Sequence, residues 1–350
     1  FIRSPLPHPP LFHSIFTPNR FPSTMRGSKD AKPVVGEQSW NKFSYILLFF
    51  MTSWPITVAK AKNATSNTFD FAITTSTLSI EVVKMVVSAA ASPLSLSDLI
   101  SFTLAHPLYA VPGFIYAVNN NMIYLILELM PTPHFMLLEK VKIITTAILF
   151  YVFLGRQLSR VQWLSIVLLF LGTSLQHVGS VTDIATMQWR GIVYVAILAS
   201  LSGIAATFSE YALKRDMASS IHAQNFALYA YSTLVCVASA LYQDTTIFSH
   251  FFTGWSFATL LVVANGTLMG LFVSQIMKTQ SSLAKVYINT LAMVLSTLIS
   301  IAMGDYQLTL LFVYSGAIVI CAILLYYEKT GVPPSQRPPT AASVTLPRYR

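Results

Sequence analysis

The chain is 350 residues long, 54% hydrophobic and only 10% charged, with a mean hydropathy of +0.60. A soluble domain usually carries about 25% charged residues, so the composition excludes an ordinary water-soluble fold and points to a membrane protein. The net charge of +9 invites a nucleic-acid reading, but the placement of the basic residues gives it another meaning, and no nucleic-acid partner is expected.

Chemistry-bearing motifs are sparse. Cys236 and Cys321 both lie in apolar runs and suggest no disulfide framework. There is no Gly-rich phosphate loop, no Cys/His metal spacing, no carboxylate metal cluster and no nucleophile–base set. Neither a cofactor, a metal site nor an enzyme is expected.

Residues 1–43 differ in kind from the rest of the chain. "FIRSPLPHPPLFHSIFTPNRFPSTMRGSKDAKP" is rich in Pro, Ser and Arg and reaches its first acid only at Asp30. Such a segment cannot bury a core and reads as a disordered tail. Residue 1 is Phe and Met25 offers a start, so the plainer reading is an incomplete or over-extended reading frame; an organelle transit peptide is the alternative. Ten apolar segments come next, at 44–61, 70–91, 107–129, 133–154, 160–178, 191–212, 222–242, 254–277, 281–303 and 306–327. About 20 apolar residues cross a bilayer as a helix, and short turns such as "PTP", "GRQLS" and "GDYQ" connect the segments. Helices satisfy their own backbone in lipid. The expected fold is therefore an all-α membrane protein of ten transmembrane helices, residues 44–327, arranged as two inverted five-helix repeats at 44–178 and 191–327. Residues 328–350 are Pro-rich and polar, a second disordered tail.

Orientation follows from Lys and Arg. With both termini cytosolic, the two tails and the loops carrying Arg156, Arg160, Lys214, Arg215 and Lys278 hold fifteen of the 22 basic residues. The opposite side holds only Lys60, Lys62 and Arg190. The excess of positive charge is thus mostly an orientation signal. A glycosylation triplet, Asn63-Ala64-Thr65, falls in the first non-cytosolic loop; its plainer reading is chance.

Four lysines, Lys84, Lys140, Lys142 and Lys285, fall inside the apolar segments. An ionisable residue in a membrane helix is costly and usually faces a cavity or a partner. Glu139 and Lys142 are three apart and can share a helix face. Lys285, Asn289, Ala292 and Ser296 form a stripe at helical spacing. Asn121, Tyr124 and Glu128 share a face in the third segment, beside Asn119 and Asn120. Asn225 lies in the seventh segment, Glu81 with Lys84 in the second, and Glu210 in the sixth. Polar residues also serve as interhelical glue, and that structural reading is favoured for Glu81, Lys84 and Glu210. For Lys142 and Lys285 a functional reading is favoured, because they occupy the fourth segment of each half. Inverted-repeat carriers hold their substrate at the repeat interface near the midplane. Two lysines there suit an anion with more than one charge, such as a diphosphate, and Asn and Tyr side chains suit a base or sugar.

The stretch "VPGFIYAVNNNMIYLILELMPTPHFMLLEKVKIITTAILFYVFLGRQLSRVQWLSIVLLFLGTSL" resembles the nucleotide-sugar transporters, in the branch of CMP-sialic acid, UDP-galactose and UDP-N-acetylglucosamine carriers within the drug/metabolite transporter superfamily. The resemblance rests on Pro112, Tyr116, Asn119 to Asn121, Tyr124, Lys142, Thr145, Thr146, Leu158, Ser159, Gln162 and Trp163. It extends over residues 44–327 through "TTSTLSIEVVKMVV", "FSEYALK", "NFALY" and "SSLAKVYINTLAMVLST". It implies an antiporter that exchanges a cytosolic nucleotide sugar for lumenal nucleoside monophosphate in the Golgi or ER membrane. Lys142 and Lys285 would then contact phosphates, and Asn120, Asn121 and Asn225 would read the nucleotide; Tyr116, Asn119, Tyr124, Glu139 and Asn289 complete the candidate site. The chain departs from the family pattern at Glu139-Lys140, where the family has Tyr-Gln, and at Ser282, Val286, Asn119 and Ala227. These departures read as a divergent member with an altered substrate. A plastid or vacuolar metabolite exporter of the same superfamily, and a non-transporting scaffold of carrier ancestry, are the alternatives. The lipid bilayer is an expected partner, and a homo-oligomer is left open.

Overall fold

The computed structural model describes residues 40–63, 68–155, 158–178, 189–304 and 307–328; at residues 117, 120, 121, 124, 127, 128, 132 and 133 it describes the backbone only. The expected tails, apart from residues 40–43 and Glu328, lie outside the described residues, as does most of the Asn63-Ala64-Thr65 triplet.

Twelve α-helices and no strand appear among the described residues. They are α1 (Lys42–Lys60), α2 (Ile73–Ala91), α3 (Leu96–Ala105), α4 (Ala110–Leu129), α5 (Thr132–Glu139), α6 (Val141–Leu154), α7 (Arg160–Val178), α8 (Trp189–Arg215), α9 (Ile221–Gln243), α10 (Phe257–Thr279), α11 (Ser282–Ala302) and α12 (Leu310–Tyr327). Helix starts follow local capping chemistry. Asn41 and Ser44 form a reciprocal capping box at α1, and Ser256 and Thr259 form one at α10. Each supplies acceptors for first-turn N–H groups that have no helical partner. Gly155 ends α6 in the left-handed region at φ 62°, which glycine adopts without Cβ strain.

Eight helices, α1, α2 and α7 to α12, are long and apolar enough to cross a membrane; a ninth span arises if α3 and the start of α4 count together, across a 78° bend. Two expected segments thus differ from uniform helices. The third is preceded by the ten-residue α3, capped by Ser95 and too short to span. The fourth breaks at Lys140, where the Lys140 N–H bonds the Leu137 carbonyl and the Ile143 N–H bonds the Lys140 carbonyl at 3.3 and 2.9 Å. These three-residue steps replace the four-residue ladder of an α-helix, a local tightening of the kind found at functional hinges.

Packing follows a regular scheme. Helix α1 lies on α10 and α11, while α8 lies on α4 and α6; α2 pairs with α9 and α7 with α12; α4 meets α9 and α2 meets α10. Small residues set the closest approaches. A Cβ on Gly203 of α8 would sit 2.8 Å from Leu149 Cδ1 and 3.3 Å from the Thr146 backbone nitrogen of α6. Thr145 donates across the same contact to the Ala199 carbonyl at 3.1 Å. Small residues with an interhelical hydrogen bond are the usual glue where lipid is as apolar as the side chains. The largest hydrophobic cluster joins α6, α7, α11 and α12 through Ile143, Phe150, Leu169, Tyr287, Val319 and Tyr326. Inside it, Ser165 of α7 donates to the Ala322 carbonyl of α12 at 2.9 Å and pairs with the Tyr287 hydroxyl of α11 at 2.5 Å.

Candidate functional site

Lys142 is in the first turn of α6, just past the break at Lys140. Its ammonium is paired with the Glu139 carboxylate at the end of α5. The predicted shared face is therefore occupied as an ion pair that bridges the break. The pair is not sealed: the Lys142 side chain is 36% exposed and that of Glu139 23%. Thr146, one turn on, donates back to the Lys142 carbonyl, and Thr145 shares its hydroxyl proton between that carbonyl and the Ala199 carbonyl of α8. Lys140 itself is buried. Helix α7, which carries His177, packs against α5, which ends at Glu139.

Lys285 is in the first turn of α11 and is half-buried. Helices α6 and α11 pack together; Ile143, beside Lys142, is part of the α6–α7–α11–α12 cluster, and Val286, beside Lys285, packs against that cluster. The two lysines are thus related by packed helices rather than by direct contact. Along α11, Asn289 is exposed while Ala292 and Ser296 are buried, so the expected stripe runs from an open position into the protein.

The other expected site residues divide. Asn119, 5% exposed, donates to Ser202 of α8 at 3.1 Å, and its Oδ1 has no partner among the described residues. Asn225 of α9 is 2% exposed, and its Oδ1 likewise has none. A buried amide oxygen without a partner is costly, and both oxygens are closed to solvent in this conformation. Tyr116 is 37% exposed on α4. Asn120, Asn121 and Tyr124 occupy α4 by backbone, and their side chains lie outside the described residues.

Glu81, Lys84 and Glu210 are bound into the scaffold, in line with the structural reading favoured for them. Glu210, fully buried on α8, pairs with Lys214 at 2.6 Å and accepts from the Ser282 N–H at 2.6 Å. Lys214 also donates to the Gln280 carbonyl. One pair thereby closes the turn between α10 and α11, with a carboxylate at the positive end of α11. Lys84 pairs with Glu81 at 2.5 Å and lies 4.4 Å from the centre of the Tyr229 ring, a cation–π contact.

Sequence reasoning did not single out a cavity of about 730 Å³ bounded by α1, α7, α11 and α12. Lys60, Gln176 and His177 contribute to its wall, as does Ser296 from the Lys285 stripe. Their signal in the sequence was slight: a Gln-His pair at the end of an apolar run and a lysine at a helix end.

An all-helical membrane bundle with paired charges inside it agrees with the chain's likeness to known proteins. The family model for nucleotide-sugar transporters matches residues 40–327. The chain belongs to the nucleotide-sugar transporter family. It is a multi-pass membrane transporter and not an enzyme. CMP-sialic acid transporter 2 of Oryza sativa subsp. japonica is 27% identical over 86% of this chain and 88% of its own. CMP-sialic acid transporter 1 of Arabidopsis thaliana is 34% identical over 63% of this chain and 67% of its own. The UDP-galactose translocator of Bos taurus is 32% identical over 63% and 58%. A solved structure, titled only as a crystal structure of a protein, shares the fold at a TM-score of 0.60 and 14% identity, over 81% of this chain and 94% of that one.

Proposed function

We propose that this nucleotide-sugar transporter is an antiporter. It exchanges a cytosolic pyrimidine nucleotide sugar, of UDP-sugar or CMP-sialic acid type, for lumenal nucleoside monophosphate. Similarity to proteins named for both cargo types supports the breadth of that statement. Its membrane is that of the Golgi or the ER, and the basic residues favour both termini in the cytosol.

The observation that carries the reading is the Glu139–Lys142 pair. A half-exposed ammonium stands at a helix break inside an apolar segment, held by one carboxylate that an anionic substrate can replace. A diphosphate arriving at Lys142 takes over the ammonium, and Lys285 on the neighbouring α11 supplies a second positive charge. Asn119 and Asn225 offer unpartnered amide oxygens to base or ribose donors; Asn120, Asn121, Tyr124, Tyr116 and Asn289 complete the set. Without substrate the charge returns to Glu139, so the empty carrier does not bury a bare cation.

Two inverted five-helix halves fit the way the helices pair. When α5 and α6 are counted as one span, and α3 with α4 as another, exchanging each span with the one five places on turns α1–α10 into α8–α4. It also turns α1–α11 into α8–α6 and α2–α10 into α9–α4, and all of these pairs are in contact. Alternating access then amounts to one half rocking against the other around the lysines.

The test is uptake into liposomes preloaded with UMP or CMP, using labelled UDP-, CMP- and GDP-sugars, with Lys142→Ala and Lys285→Ala beside the wild type. Uptake of one class that needs the internal monophosphate and both lysines supports the antiporter and names its base. Uptake indifferent to both lysines sinks the two-lysine site and moves the assignment to another cargo.

A further inference from the structure

The cavity between α1, α7, α11 and α12 is not the lysine site, and its wall has a consistent chemistry. Exposed Lys60 and Thr309 and the more buried Gln176, His177, Ser296 and Ser300 line it. No carboxylate is among the described lining residues. The Gln176 Nε2 and His177 Nε2 atoms are buried without a hydrogen-bond partner among the described residues. Both residues line the cavity, and a side-chain rotation would turn these unpartnered donors toward a ligand there. At about 730 Å³ the space lies within the 300–1,000 Å³ or so of small-molecule sites. Thr309 is the N-cap of the 18-residue α12, so the positive end of a helix dipole borders the same space.

The cavity also has a position relative to both lysines. Ser296 is on the α11 stripe that begins with Lys285 and Asn289. Helix α7, which carries His177, packs against α5, which ends at Glu139, and Glu139 holds Lys142. Lys60 ends α1, and Ser300 is near the end of α11. The cavity therefore lies at the membrane face opposite the N-terminal end of α1.

We propose that this cavity is an anion subsite for a phosphomonoester on the face away from the N-terminus, where returning nucleoside monophosphate docks before it reaches the lysines. The inference rests on the antiporter reading for the identity of its ligand. The cation at the mouth attracts the phosphate, and the Gln176 amide, the His177 imidazole and the Ser300 and Thr309 hydroxyls can donate to it. The site needs no second ammonium, because the ligand is released onward rather than held.

The experiment compares the two faces of the carrier in oriented phosphatidylcholine liposomes, using wild type, Lys60→Gln, Lys60→Arg and Gln176→Leu. Lys60→Gln and Gln176→Leu are expected to raise the apparent KM for UMP or CMP on the α1 C-terminal face by about tenfold. The KM for nucleotide sugar on the other face should stay within about twofold, and Lys60→Arg should behave as wild type. Equal effects on both faces, or none on either, would overturn the subsite. Equilibrium binding of UMP, CMP and inorganic phosphate to the purified protein separates this from the parent reading. Lys60-dependent binding in a protein that moves no nucleotide sugar would remove the antiporter and keep the site. Binding unchanged by Lys60→Gln and Gln176→Leu would remove the site alone. Phosphatidic acid in the vesicles competing with the monophosphate through Lys60 would overturn the soluble ligand and assign the pocket to a lipid headgroup.

Discussion

Glu210–Lys214 and Glu139–Lys142 are made of the same two side chains, yet they sit in opposite circumstances. The first is completed on every side: one Glu210 oxygen takes the ammonium, the other takes the Ser282 N–H, and Lys214 also reaches the Gln280 carbonyl. The second bridges a helix break and leaves more than a third of the lysine side chain open. A closed pair can only hold helices together, whereas an open pair can exchange one partner for another. The pairing scheme alone would not separate them; their surroundings do.

The comparison breaks most easily at Glu210. Removing one member of a buried pair leaves an uncompensated charge, at a cost of about 3–5 kcal/mol. Glu210→Ala should therefore lower the unfolding midpoint in detergent more than Lys142→Ala or Gly203→Val does, and uptake should vanish because the carrier is lost. Glu210→Gln, which keeps an acceptor for Ser282, should lie in between. A Glu210→Ala protein as stable as wild type would mean that the clamp on the α10–α11 turn is decorative.

At Lys142 the expected pattern is reversed. Its pair is partly open, so Lys142→Ala should lower the unfolding midpoint less than Glu210→Ala does. Nucleotide-sugar exchange should nonetheless fall about ten- to a hundredfold, the worth of one charge-assisted contact to a phosphate. Glu139→Gln sharpens the point, because it frees the lysine without removing it. That variant should keep exchange and bind the diphosphate cargo at least as well as wild type. A strongly destabilised Lys142→Ala protein would make this pair a second structural clamp.

Gly203 tests whether the open pair depends on its backing. The α8 backbone comes so near α6 at Thr145 and Thr146 that a side chain there meets Leu149 and the helix backbone. Gly203→Val should cost about 1–3 kcal/mol by overpacking. Its displacement of α6 should raise KM for the nucleotide sugar more than a matched substitution at Gly172, which packs on Val319 and Ile318 of α12.

Most of the helices were legible in the sequence because membrane spans announce themselves by length and apolarity. The Glu139–Lys142 pairing was legible because a three-residue spacing fixes which side chains share a face. The break at Lys140 was not, since the apolar run continues through it and the geometry depends on two backbone hydrogen bonds. Helix α3 lies outside the ten expected segments, although Ser95 and Asp98 form an ordinary helix start there. The cavity was invisible for a different reason: Lys60, His177, Ser296 and Thr309 come from separate stretches of the chain that only packing brings together.

The same contrast extends, with the smallest expected effect, to the loop after α9. Asp244 there pairs with His250 at 3.0 Å and accepts from the Thr246 hydroxyl and N–H, each at 2.8 Å. The Thr246 hydrogen bonds, more than the nearby histidine, hold the Asp244 carboxyl below its ordinary range. A carboxyl whose folded value is depressed adds order that is present above its unfolded value and is lost as pH falls through the folded one. Hydrogen exchange across residues 244–256 should therefore show protection at neutral pH that declines only in acid, and Asp244→Asn should remove the neutral-pH part alone. Because this carboxylate is partly exposed and lies in a loop outside the bundle, the loss should be local and leave the unfolding midpoint of the bundle where it was. A midpoint shift approaching that of Glu210→Ala would mean that burial is not what separates clamps from ornaments in this fold.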